Sequence, residues 1–331
     1  MIASAAFESR KARAAAVAGA ILACALPGAG TAQSYPNKSI RFIVPFGPGG
    51  PGDAIGRMIS KKLGESLGQS VVVDNRSGAT TIIGTQIAAE SPPDGYTLLL
   101  ISTTHAVNPG LFKKLPYDPI KDFAPVTLVT STPFMLVVHP SVAATTVPEF
   151  VALARSKPGQ LNYGSSGTGS SIHLTTELLK TAAKIELTHV PYKGSGPAFI
   201  DLIGGQVQLL FSSTVSSLPH VKSGKVRGLA ITSLKRAPSL PTIPTIAEFY
   251  PGFESSSWFG MLVPAKTPKP VVERLLAETR SALKSPEVNQ ALVSQGAEPG
   301  GNSPVEFAAY FQSEIRKWSR VIDSAAVKLD Q

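Results

Sequence analysis

The chain has 331 residues, 43% of them hydrophobic, with 29 Gly, 28 Pro and a formal net charge of +9. That length and apolar content allow two domains with their own cores, joined through many turns. The basic residues are scattered rather than striped with aromatics, which excludes nucleic acid as a partner, and the one cysteine, Cys24, leaves no pair for a disulfide or a thiolate metal site.

Residues 1–32 read as a secretory signal peptide. Arg10, Lys11 and Arg13 form a basic start, residues 14–26 an apolar stretch too short to span a bilayer, and Gly30-Thr31-Ala32 a small-residue cleavage site. Cleavage after Ala32 removes Arg10, Lys11, Arg13 and Glu8 and leaves a net charge of about +7, which favours anionic solutes at long range or simply confers solubility. Ile21-Leu22-Ala23-Cys24 loosely resembles a lipoprotein box, but bulky Leu22 and the continuing apolar run make a lipid anchor at Cys24 the minor reading.

Beyond the leader, strand-like and helix-like segments alternate. Residues 40–44 are apolar and β-branched, and a glycine-rich loop follows, Pro45-Phe46-Gly47-Pro48-Gly49-Gly50-Pro51-Gly52-Asp53. Ile55, Ile59, Leu63 and Leu67 then make a helical stripe. Residues 71–74 predict a strand, 81–89 a short helix, and 96–101 a third strand ending in Ser102-Thr103-Thr104. Residues 124–139 read as two extended runs broken at Pro133, the expected crossing into a second lobe.

That lobe repeats the pattern. A helix is predicted over 148–156, a short strand to Tyr163, and a second glycine-rich loop, Gly164-Ser165-Ser166-Gly167-Thr168-Gly169-Ser170-Ser171. A helix over 172–183, a strand over 187–190, a helix over 198–203 and strands over 207–211 and 227–232 follow. The proline-rich run 238–253 predicts an extended return path, 257–263 a strand, and 270–283, 286–294 and 304–328 helices, the last with the stripe Phe307, Phe311, Ile315, Trp318. The fold class expected is α/β: two lobes, each a mostly parallel sheet flanked by helices. Lobe 1 is 33–132 with 250–331, and lobe 2 is 133–249.

Each glycine-rich loop leads from a strand into a helix, where uncovered N–H groups and the helix dipole favour an anion. The alternative is a tight turn without a ligand. Phe46 fits either a cleft wall or the core, and Asp53 fits the helix start, where it satisfies amides. Ser102, Thr103 and Thr104 lie at the carboxyl end of a strand, where open α/β sheets bind ligands. Ser165, Ser166, Thr168 and Ser170 exceed the needs of one helix cap, with Ser170 or Gly169 the cap itself. His173 reads better as a packing residue. Tyr192 and Lys193 lie on a second-lobe loop, Lys193 either lending charge to the cleft or solvated. There is no P-loop, no Gly-x-Ser-x-Gly elbow and no His-Glu-x-x-His, and Ser281-x-x-Lys284 lacks companion motifs. No catalytic residue, metal or cofactor is expected, although a serine hydrolase using Ser165 or Ser170 stays open as a minor alternative.

Longer motifs carry a resemblance. Tyr35-Pro36-Asn37-Lys38-Ser39-Ile40-Arg41, Asp94-Gly95-Tyr96-Thr97-Leu98-Leu99, His189-Val190-Pro191-Tyr192-Lys193-Gly194 and Leu218-Pro219-His220-Val221-Lys222-Ser223-Gly224 resemble the Bug receptors. These are the substrate-binding proteins of tripartite tricarboxylate transporters, and the likeness runs through the whole mature chain. It implies a periplasmic, monomeric clam-shell receptor that delivers a small carboxylate to a membrane permease, with a sensor kinase as the alternative partner. It also implies that one ligand carboxylate sits between Phe46, Gly49 and Gly50 on one side and Ser165, Ser166, Gly167, Thr168 and Ser170 on the other. Many relatives carry an acid or amide where this chain has Ser212-Ser213-Thr214. Hydroxyls there disfavour an ammonium group and point to a dicarboxylate or an aromatic acid.

Overall fold

The computed structural model describes residues 35–237, 240–294 and 296–325. The expected leader and Cys24 lie outside them. The fold is carried by one compact unit, Lys38–Gln331.

The apolar run Ile-Arg-Phe-Ile-Val forms β1 (Ile40–Val44) at the centre of a parallel triplet, flanked by β2 (Val71–Asn75) and β3 (Thr97–Ser102). α1 (Pro51–Leu67) and α2 (Ile82–Ala89) connect these strands. α1 begins at Pro51, inside the first glycine-rich loop, because proline's fixed φ suits the first helical position. A second parallel triplet is built from β5 (Asn162–Ser165) between β6 (Thr188–Pro191) and β7 (Leu209–Ser213). Around it lie α4 (Val147–Ser156), α5 (Ser171–Ala183) and α6 (Ser195–Ile203).

Both parallel sets expected from the sequence are present, yet the sheet as a whole is mixed. β4 (Phe123–Val138) and β9 (Ser256–Pro264) run antiparallel to their neighbours and complete the order β2-β1-β3-β9-β4-β7-β5-β6. β8 (Arg227–Ile231) and β10 (Glu298–Pro299) pair with β4. β4 does not break at Pro133. It stays extended while its partners change, pairing with β9 as far as Pro133↔Ser256 and with β7 from Phe134↔Ser213 onward. Proline has no N–H to give a ladder, so the change of partner falls where a hydrogen bond is lost anyway.

The return path is tied to this crossing. Phe134 N–H donates to Thr232 Oγ1 (2.8 Å), Thr232 N–H to Phe134 O (2.9 Å), and Thr232 Oγ1–H to Ser255 O (2.5 Å).

Strand direction follows from these pairings. β3 and β4 are both antiparallel to β9, so they run the same way; β7 is antiparallel to β4 and runs the other way. The carboxyl ends of the two parallel triplets therefore point at each other. Two helices that the sequence pattern misses start at those ends: α3 (Thr103–Leu111) after β3 and α7 (Thr214–Lys222) after β7. Each contains a proline, Pro109 or Pro219, which reads as a breaker in sequence.

The C-terminal helices α8 (Lys269–Lys284), α9 (Pro286–Ser294) and α10 (Pro304–Ala325) pack on the first half. The stripe read from sequence is the packed face: Phe307, Phe311 and Trp318 are buried together with Trp258 of β9. Gly260 is required here, because any Cβ would collide with the Phe307 ring. Glu314 is buried at 2% exposure, and its Oε2 accepts from both indoles, Trp258 Nε1 (2.9 Å) and Trp318 Nε1 (3.0 Å). Lys317 supplies the counter-charge. Replacing Glu314 by Ala leaves two buried indole donors unsatisfied, while Lys317 is partly exposed and keeps its bond to Glu254 O (3.0 Å), an expected loss of roughly 2–4 kcal/mol. Urea unfolding followed by the fluorescence of these two tryptophans measures it, and a loss below about 1 kcal/mol would show that the carboxylate is not holding α10 to β9.

Candidate functional site

The second glycine-rich loop is held from beneath. Ser165 ends β5 fully buried; its Oγ accepts from Gly167 N–H (3.1 Å) and lies 2.6 Å from His189 Nε2. Gly169 N–H donates to His173 Nδ1 (3.0 Å), and Ser170 Oγ caps α5 by accepting from His173 N–H (3.3 Å). Gly167 (φ 122°) and Gly169 (φ 76°) bend the chain through conformations that side chains disfavour. The His173 and His189 rings stack at 4.0 Å, with Tyr163 stacked on His189 at 4.8 Å. Tyr163 Oη–H donates to Glu177 (2.5 Å), which also pairs with Lys180 (2.7 Å). Burial, then the neighbouring His189, pushes the His173 imidazole down to about 4. Burial lowers His189 as well. Neutral imidazoles therefore shape this loop, and His173 Nδ1 must stay unprotonated to accept the Gly169 amide.

The buried Ser165–His189 pair resembles half of a hydrolase triad, but the hydroxyl is enclosed by its own loop, with Gly167 N–H and O both within hydrogen-bonding reach. A substrate carbonyl has no approach to it, so the pair sets loop geometry.

The loop faces the start of α3. Ser102 Oγ caps that helix by accepting from Thr104 N–H (3.2 Å). Thr103 Oγ1 donates to Ser256 O (3.2 Å) and accepts from Trp258 N–H (3.1 Å), fixing α3 to β9. Between the two helix starts lies a cavity of about 270 Å³. One wall is Ser102, Thr103 and Thr104 with Val107 and Leu111 of α3, and the facing wall is Thr168, Gly169, Ser170 and Ser171. Thr80, Ser257 and Phe259 complete it. Its lining holds eight hydroxyl side chains and no charged one. The positive ends of two helices, one from each half of the sheet, thus meet in a space where they are not neutralised by an acid.

Of the residues singled out in sequence, Ser102, Thr103, Thr104, Thr168 and Ser170 are brought together. Ser165, Ser166 and Gly167 do not line the cavity. Phe46 stands behind its wall, edge-on to Phe259 at 5.8 Å. In the first loop, Gly49 N–H is occupied by Asp53 (2.9 Å), and Asn75 donates to both Phe46 O and Asp53 (3.0 Å each). Hydrogen bonds from Arg57, Gly49 and Asn75 hold the Asp53 carboxyl down at about 2. Gly50 is the N-cap of α1 and does not line the cavity. Tyr192 donates to Asp201 (2.7 Å), and Lys193 is exposed outside the lining. Ser212 is buried in β7, and Ser213 caps α7 by accepting from Ser216 N–H (3.3 Å).

That β7 end leads instead towards a larger groove of about 1130 Å³, which includes Thr214, Pro133 and Ser256 and is mostly apolar. Ser256 and Ser257 alternate along β9, so groove and cavity lie on opposite faces of the crossing strands. Thr80 was not singled out in sequence, although Gly78 after β2 marks a turn at another carboxyl strand end. No pattern signals Phe259.

A family model described as the tripartite tricarboxylate transporter family receptor matches residues 55–327. The chain belongs to this family. Protein BugT of Bordetella pertussis is 38% identical over 302 residues, covering 90% of this chain and 93% of BugT. Among solved structures, R. palustris Rpa4515 with adipate is 39% identical at a TM-score of 0.73, covering 89% of this chain and 99% of that one. MatC (Rpa3494) from Rhodopseudomonas palustris with bound malate is 34% identical at a TM-score of 0.69, covering 87% and 100%. Members of this receptor family are periplasmic solute-binding proteins, and among the described residues no helix is long and apolar enough to cross a membrane.

The neutral imidazoles give the receptor an acid-side weakness. The unfolded chain protonates His173 near its ordinary value of 6.5, whereas the folded loop refuses the proton until about 4. Stability therefore falls as pH drops through that window, by up to about 1.4 kcal/mol per pH unit for each such group. Buried His105, pushed down to about 3, adds to the decline. Thermal melts from pH 7 to 4 should show the melting temperature falling, and His173→Gln should flatten the slope. An equally steep slope in that variant would clear His173 of the effect.

Proposed function

We propose that this receptor captures a small dicarboxylate in the cavity between α3 and α5 and delivers it to a membrane permease. The observation that carries the reading is the pairing of two helix N-termini across a space lined by hydroxyls and free of charged side chains. A carboxylate there accepts hydrogen bonds from amides and hydroxyls and gains from both helix dipoles. An ammonium group would find no acid to pair with, so amino acids are disfavoured. Val107, Leu111 and Phe259 offer apolar surface to a short carbon chain. The relatives solved with adipate and malate carry ligands of this class.

Two lobes, 33–132 with 250–331 and 133–249, close about β4 and β9 in this reading. Closure brings the α3 and α5 ends onto the same ligand and hands the permease a changed surface. The chain is exported, with residues 1–32 as its leader.

A thermal-unfolding panel of succinate, malate, adipate, citrate, benzoate and aspartate tests the reading. A ligand at 100 times its Kd stabilises the native state by about 2.7 kcal/mol, so at least one dicarboxylate should raise the melting temperature by several degrees and aspartate should not. Gly167→Val, at a position with φ 122°, should abolish the rise. A rise with aspartate alone, or none with any dicarboxylate, overturns it.

A further inference from the structure

The turn after β2 is strained in a way its packing does not explain. Gly78 (φ 132°) leads into Ala79 (φ 44°), Thr80 (φ 54°) and Thr81 (φ 74°), three consecutive non-glycine residues in the left-handed region. For a β-branched residue this conformation is a marked outlier. Glycine at position 80 would remove that residue's share of the strain, and nothing buried would be lost, because the Thr80 side chain is exposed at the cavity wall.

The turn is also actively held. Fully buried Asn108 of α3 donates from Nδ2 to Thr80 O (2.9 Å), and Thr85 Oγ1 donates to Thr81 O (2.9 Å). An exposed residue kept in a costly conformation by buried hydrogen bonds marks a functional position.

The anchor also measures a distance. Asn108 lies five residues beyond Thr103, about 7.5 Å along the helix axis. Thr80 therefore stands beside the second turn of α3, next to Val107 and Leu111, while Ser102–Thr104 sit at the helix start. A carboxylate at that start would run its carbon chain over Val107 and Leu111 and bring its other end to Thr80. We propose that Thr80 is the residue that selects ligand length, its hydroxyl donating to the distal carboxylate of a short α,ω-dicarboxylate. This rests on the reading of the cavity as a dicarboxylate site. The strain fixes the hydroxyl at one distance from the helix start, so a shorter chain falls short of it and a longer one collides with the turn.

Calorimetric titration of succinate, glutarate, adipate and pimelate into wild type, Thr80→Val, Thr80→Ser and Thr80→Gly tests this. Wild type should show a minimum Kd at one chain length. Thr80→Val, which keeps the shape and removes the hydroxyl, should raise Kd at that length about 10-fold or more and flatten the series, since hydrogen bonds to a charged group carry that much. Thr80→Ser should retain the minimum. Thr80→Gly should lose it while melting about 2–4 °C higher, which separates lost recognition from lost folding. A Thr80→Val profile that tracks wild type overturns the inference and leaves the dicarboxylate reading standing. If wild type binds none of the four acids, that reading falls and this inference with it.

Discussion

β4 hydrogen-bonds to β9 as far as Pro133 and to β7 and β8 from Phe134 onward, without a turn between. This continuity fixes the direction of every other strand and aims the carboxyl ends of both parallel triplets at one gap. Of the helices that follow those strands, α3 and α5 present their N-terminal turns to the same cavity. The mutual bonds of Phe134, Thr232 and Ser255 hold the second crossing against the first, so the geometry is set by backbone and one buried hydroxyl. Only two chain segments pass between the halves at this point.

Charge is kept out of the cavity and spent around it. Asp53 is clamped by Arg57, Asn75 and the Gly49 amide at the first loop, and Glu177 by Tyr163 and Lys180 behind the second. Each carboxylate is neutralised by partners on its own side of the loop. The imidazoles directly beneath the second loop are held neutral by burial. The field inside the cavity is then that of amides, hydroxyls and helix ends, which attract an anion without the desolvation that a buried arginine or lysine would carry. Specificity in such a site comes from where the hydroxyls stand.

The fold was legible wherever apolar periodicity dictates it. Residues 40–44 are read correctly as an unbroken apolar run because β1 is buried on both faces, and the α1 stripe and the Phe307–Trp318 face of α10 are read from spacing because each helix buries one side against a neighbour. α3 and α7 were illegible because Pro109 and Pro219 sit inside short, weakly amphipathic segments whose helicity is imposed by packing. The lining of the cavity was half legible for a related reason. Ser102–Thr104 stand out as hydroxyls at a strand end, and Thr168 and Ser170 as hydroxyls in excess of what one helix cap needs. Which glycine-loop amides are free depends on Asp53 and Asn75, groups that approach only in three dimensions. Ser212 and Ser213 lie at an equally plausible strand end, but β7 borders β4 at the crossing and turns its end towards the opposite face.

Thr80 brings these constraints together. A receptor that binds through backbone dipoles has little chemical selectivity, since every carboxylate satisfies two helix ends alike. Discrimination must come from a rigid element at a set distance, and rigidity at an exposed loop is hard to obtain from packing. A left-handed turn of non-glycine residues has few alternative conformations once its carbonyls are held, and Asn108 and Thr85 hold them from the buried side. Asn108 belongs to the same helix whose first turn faces the cavity, so anchor and ruler belong to one rigid element. Both reference points of the proposed length selection, the α3 start and Thr80, lie in the first half of the sheet, so a movement between the halves would leave their spacing unchanged.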